Sequence, residues 1–177
     1  MKKIFMLIVF LFFTALSLSG GGGTRPEPNS AGCENNGFEM RLYSDRAVYK
    51  TTDAIKVWAT LQYVGDGDTV TIWHGEPYMV FSITDGKNFN SGGSILTVLT
   101  STVLKQGKLY RFDYQKSGGW DAGGPDAAFW ENFYREKELR LPAGEYTISV
   151  DGWFSLTDAV IGSESGLRCE LKILVEP

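Results

Sequence analysis

The chain has 177 residues, 43% of them apolar and 14% aromatic, enough for one ordinary domain with a sizeable core. Seventeen Lys and Arg against 21 Asp and Glu give a formal net charge of −4. An acidic chain with no basic stripe repels phosphate backbones and anionic lipid surfaces, which excludes nucleic acid and charged membranes as leading partners.

Residues 1–19 have the layout of a signal peptide. Lys2 and Lys3 form a positive start, and an apolar run from Ile4 to Leu18 follows, interrupted by Thr14 and Ser17. That run is shorter than the ~20 apolar residues a spanning helix needs. Ser17 and Ser19 put small residues where a signal peptidase reads them, predicting cleavage after Ser19 and no membrane insertion afterwards. Leu18-Ser19-Gly20 opens like a lipoprotein signal, but Gly21 stands where the lipid-bearing cysteine would be. The expected location is therefore extracytoplasmic: secreted, or associated with a bacterial cell wall.

Residues 20–36 read as a flexible Gly/Pro linker, and residues 37–177 as one domain. Within that domain the dominant period is two. Phe38, Met40 and Leu42 alternate with polar neighbours. So do Ile55 to Tyr63, Thr69 to Ile72, Met79 to Thr84, Leu109 to Tyr114, Tyr146 to Asp151, and Leu167 to Val175. Half-buried strands require this alternation, because successive side chains point to opposite faces of a sheet. Turn signals fall between the runs at Asp85-Gly86, Gly107 and Gly144, and at Gly65-Asp-Gly-Asp68, read as a solvated hairpin turn. The expected fold class is all-β: an immunoglobulin-like antiparallel β-sandwich.

One short inserted helix interrupts the strands. Asp126 is placed to cap it, and Phe129 with Phe133, like Trp130 with Tyr134, stand four residues apart on shared faces. The two cysteines, Cys33 and Cys169, allow a single intramolecular disulfide, the first expectation for an exported protein. Closing so long a loop is worth roughly 4 kcal/mol in the chain-entropy model. Cys169 shares a face with Leu171, which points its sulfur inward.

The chemistry-bearing residues are sparse. His74 is the only histidine; it reads as a turn or surface residue, and a catalytic triad has no second base to draw on. No metal-ligand spacing, P-loop or dinucleotide fingerprint is present, so no catalytic residue, metal or cofactor is assigned, and the chain is expected not to be an enzyme. Asp66 and Asp68 do not continue into a calcium loop. Two acidic pairs, Glu131 with Glu136 and Asp121 with Asp126, keep a carbohydrate-active enzyme open as an alternative. The ligand-binding candidates are Trp120, Asp121, Trp130 and Tyr134, since flat aromatic faces grip sugars and protein partners. The same rings could instead form a satellite core over one end of the sandwich, with Trp120, in its glycine loop, the most exposed of them. The partner would be a protein or a cell-wall polymer.

Several motifs follow one another in an order known elsewhere: Ala47-Val-Tyr-Lys50, Ala54-Ile-Lys-Val-Trp-Ala-Thr-Leu61, Phe81-Ser-Ile-Thr-Asp-Gly86, Leu104-Lys-Gln-Gly-Lys-Leu-Tyr-Arg-Phe112 and Leu141-Pro-Ala-Gly-Glu-Tyr-Thr-Ile148. In that order they resemble the intracellular proteinase-inhibitor family first described in bacilli, over about half the domain, through β-turn chemistry. The resemblance implies an immunoglobulin-like fold and, as a second functional expectation, an exposed loop presented to a protease cleft. The signal peptide and the aromatic helix depart from that family.

Overall fold

The computed structural model describes residues 27–158 and 165–177; the signal peptide and its cleavage site lie outside the described residues. Ten strands and one helix follow in chain order: β1 (Asn29–Asn35), β2 (Phe38–Ser44), β3 (Val48–Lys50), β4 (Val57–Tyr63), β5 (Thr69–Thr84), β6 (Asn90–Gly92), β7 (Leu96–Lys105), β8 (Leu109–Asp113), α1 (Ala127–Arg135), β9 (Gly144–Ser155) and β10 (Arg168–Glu176). One sheet runs β1-β2-β4-β8. The other runs β3-β10-β9-β5-β6, with β7 also on β5.

The period-two runs become the facing layers of a sandwich. Phe38, Met40 and Leu42 on β2 and Ala59 and Leu61 on β4 are buried from one side. Ile83, Ile148, Val150, Leu171 and Ile173 meet them from the other. Polar residues between them, such as Glu39, Arg41, Glu170 and Lys172, remain in water. The fold is an all-β sandwich with one short helix.

Its topology is immunoglobulin-like. After β2 the chain changes sheets, and β3 runs parallel to the last strand, with Leu174 beside Val48 and Glu176 beside Lys50. The crossing is held by polar contacts. The buried Tyr49 hydroxyl donates to the Asp45 carboxylate at 2.7 Å, and the Ser44 hydroxyl donates to the Arg46 carbonyl at 2.8 Å. Burial and the adjacent Asp45 push the Tyr49 hydroxyl far above its ordinary range. Near the start of β9, the Tyr146 hydroxyl donates to the Pro142 carbonyl at 3.1 Å, the tyrosine-corner arrangement of this fold class.

Five expectations are corrected. The domain begins at Asn29, inside the segment read as a linker, because Asn36 (φ 51°) and Gly37 (φ 78°) make a two-residue hairpin turn that folds β1 back on β2. The Gly65–Asp68 turn is no hairpin: β4 and β5 lie in different sheets, so it carries the chain across the sandwich. His74 is not on the surface but buried at 3% exposure, because β5 continues through it as one long strand, irregular between His74 and Met79. Asp126 precedes α1 but makes no capping hydrogen bond through its side chain.

The cysteines are the fifth. Both are free thiols, not at bonding distance. They are nonetheless neighbours: Cys33 faces Met40 in the β1–β2 ladder, and the Cys169 thiol donates to the Met40 carbonyl at 3.3 Å. β1 and β10 belong to different sheets, and the Cys33 side chain reaches across the gap to within hydrogen-bonding range of Cys169. Burial, together with the neighbouring Cys33, pushes the Cys169 thiol well above its ordinary value.

Candidate functional site

The four residues singled out from sequence line one groove. It has a volume of about 350 Å³, and Trp120, Asp121, Trp130 and Tyr134 share its walls with Asn90 and Asp126.

The groove exists because α1 is anchored at one end of the sandwich. Phe89, which leads into β6, is buried at the centre of that anchor. Its ring packs against Trp130 at 5.1 Å, Phe133 at 5.4 Å and Tyr146 at 5.4 Å between centroids. Phe133 is the helix residue that is fully buried. Lys116 ties down the other end. Its ammonium donates to the Phe133 carbonyl at 2.6 Å and the Glu136 carbonyl at 2.9 Å, where a helix C-terminus leaves acceptors unpaired. It also lies 4.3 Å from the Phe133 ring centroid. Desolvation at this position lowers the Lys116 pKa from its ordinary value.

With the inner face of α1 committed to Phe89, the Trp130–Tyr134 pair turns toward the groove, the two rings 6.0 Å apart and near parallel at 28°. The glycine loop supplies the third ring. Trp120 stacks on Tyr134 at 5.6 Å with 14° between planes, and 41% of it stays exposed. Gly118 (φ +131°) makes this approach feasible, since a Cβ there would sit 2.7 Å from the Tyr134 hydroxyl. Asp121 shapes the loop beyond. Its carboxylate accepts the Gly123 amide at 2.9 Å, and its carbonyl accepts the Gly124 amide at 3.1 Å. Three parallel rings with one open end and a carboxylate at the rim can hold a flat, partly apolar ligand by stacking and orient its hydroxyl or amide hydrogens.

Phe89 and Phe133, with Trp130 and Tyr134 packed against the core, make a satellite core, whereas Trp120 and Phe129 remain exposed at 41 and 39%. The two acidic pairs differ: Asp121 and Asp126 both line the groove, whereas the two helix carboxylates are held in ion pairs. Glu131 is paired with Arg135, and Glu136 with Arg140. Among the described residues, no group of three His, Cys, Asp or Glu side chains could hold a metal ion.

A larger cavity, about 730 Å³, opens beside the β5 irregularity and was not anticipated from sequence. It is lined by His74, Tyr78, Arg111, Phe112 and Asp113 among others. His74 is fully engaged there. Its Nδ1 lies 2.7 Å from the Gly75 carbonyl, which can only accept, so Nδ1 carries the proton and Nε2 accepts from the Thr102 hydroxyl at 2.8 Å. Arg111 and Asp113 pair with each other at 2.7 Å. Burial pushes the Tyr78 hydroxyl up to about 12. His74 and the Arg111–Asp113 pair are thus engaged with their neighbours, while Glu76 and Lys116 also line the cavity.

No family model matches the sequence, and no curated protein matches it significantly. Two solved structures resemble it distantly. One is a β-glucosidase from Erythrobacter marinus, with a TM-score of 0.41 and 17% identity, covering 78% of this chain and 15% of that one. The other is Spo0M, a sporulation control protein from Bacillus subtilis, with a TM-score of 0.41 and 10% identity, covering 80% of this chain and 50% of that one. The chain thus spans half or less of either structure.

Proposed function

We propose that this protein is a non-catalytic binding module acting outside the cytoplasm at a bacterial surface, and that its groove takes a cell-wall glycan. The observation that carries the reading is the near-parallel stack of Trp120 on Tyr134 above Trp130, open on one side and edged by Asp121. A sugar ring offers an apolar face to such a platform and hydroxyl hydrogens to the carboxylate. The chain's negative charge favours neutral or amino-sugar polymers over phosphate-bearing ones.

The test is co-sedimentation of the purified protein with insoluble wall glycan stripped of anionic polymer, with tryptophan fluorescence read on soluble fragments. Binding that vanishes in Trp120→Ala and persists in Glu34→Gln, on the distant β1, supports the proposal. Two results overturn it: no binding, or a stoichiometric loss of activity when a subtilisin-type protease is titrated with the protein. The second would favour the inhibitor function that the family resemblance implies. Release of reducing sugar from the glycan would overturn the non-catalytic part.

A further inference from the structure

The edges of a β-sandwich are places where backbone N–H and C=O groups point at solvent and invite another strand, and proteins blunt them with charge, brevity or irregularity. Most edges here are blunted. β3 and β6 have three residues each. β8 carries Arg111 and Asp113 within five residues. β1 carries Glu34 and an interior glycine, Gly32.

β7 is different. It is ten residues long and, among the described residues, its only strand partner is β5. No charged side chain occurs between Lys87 and Lys105, the longest such stretch outside the signal peptide. Leu96, Val98, Leu99 and Val103 are between 51 and 66% exposed. A shift in register between His74 and Glu76 marks a bulge near Val98 and Leu99, and these two line an apolar groove of about 340 Å³ with Trp73 and Trp153. Trp153 and Leu156 are themselves close to half exposed. From Leu96 to Leu104 this edge carries no charge and, with one bulge as its only irregularity, lies beside an apolar groove, which a monomeric soluble protein avoids.

We propose that β7 is a self-association edge, where a second copy of this chain adds its own β7 antiparallel about a two-fold axis. The charge of the molecule selects this occupant. Two copies of a chain at net −4 repel across most of their surfaces. An antiparallel β7 pair opposes only uncharged side chains from Ser94 to Leu104, whatever its register within that span. Isologous pairing also extends both sheets into one, satisfying the open backbone groups of both copies and covering both apolar grooves.

Sedimentation velocity of the purified protein over a dilution series tests this, with hydrogen exchange on the same samples. A dimer that dissociates on dilution is expected, with the Leu96–Leu104 amides gaining protection as dimer forms while those of β8 do not. Val98→Lys and Val103→Lys change side chains that are mostly in water, so each should keep the circular dichroism and melting temperature of the wild-type monomer. Each should weaken the dimer by about tenfold or more in dissociation constant. Glu34→Lys on β1 should leave it intact. A monomer at every concentration, a dimer that survives both lysines, or a dimer lost only in Glu34→Lys would overturn the proposal. Should one lysine variant fail to fold, the other variant and the wild-type exchange pattern still decide.

Discussion

Trp120→Ala separates a ligand-facing ring from a structural one. Trp120 touches the fold mainly through its stack on Tyr134 at 5.6 Å, and 41% of it is in water. A stacked aromatic pair is worth about 0.5–1.5 kcal/mol beyond burial, and water refills the space a truncated surface ring leaves, so no cavity cost is added. The expected loss is about 1 kcal/mol, or ~2–4 °C in Tm for a chain of this size. Phe133→Ala is the internal comparison. Phe133 is 6% exposed and wedged among Phe89, Trp130 and Tyr134, so its truncation opens a cavity and should cost about 3–5 kcal/mol. Urea denaturation of both variants, each also assayed for glycan co-sedimentation, reads the two effects independently. Trp120→Ala should abolish binding at small cost in stability. If it costs as much as Phe133→Ala, Trp120 is part of the satellite core and the reasoning fails.

Two further predictions concern the buried polar groups. Thr102→Val keeps the shape of the side chain but leaves His74 Nε2 without its donor, which should cost about 1–3 kcal/mol in denaturant unfolding. An unchanged midpoint would show that the hydroxyl is not needed there. In a Cys33→Ser protein the remaining Cys169 thiol should react with a disulfide reagent far more slowly when folded than when unfolded at neutral pH. Burial raises its pKa, so the reactive thiolate is scarce there and its fraction grows as pH rises. Stopped-flow rates that match between the two states would refute that.

Particular residues show where sequence reading reached and where it stopped. The alternation Phe38-Met40-Leu42 and Leu167-Cys169-Leu171-Ile173-Val175 announced both facing layers, because a half-buried strand has no other way to satisfy water and core together. The spacing of Trp130 and Tyr134 announced a shared helix face. Asn36-Gly37 was a legible hairpin signal, yet the strand before it is polar, since an edge strand buries little; composition alone therefore reads it as a tether. β7 hid for the opposite reason. Its run of Leu, Val and Thr lacks the alternation of a half-buried strand, because apolar residues remain on its solvent side.

By itself, the sequence determined the all-β class, the core-facing residues, the inserted helix and the cluster of rings around Trp120, all of which follow from local period and turn chemistry. Tertiary structure alone decided which sheet each strand joins, that His74 is enclosed by Thr102 and Gly75, that the two cysteines are neighbours without a bond, and that β7 is left as an open edge. Those outcomes depend on contacts between residues far apart in the chain. A period reports which way a side chain faces, and carries no information about what it meets there.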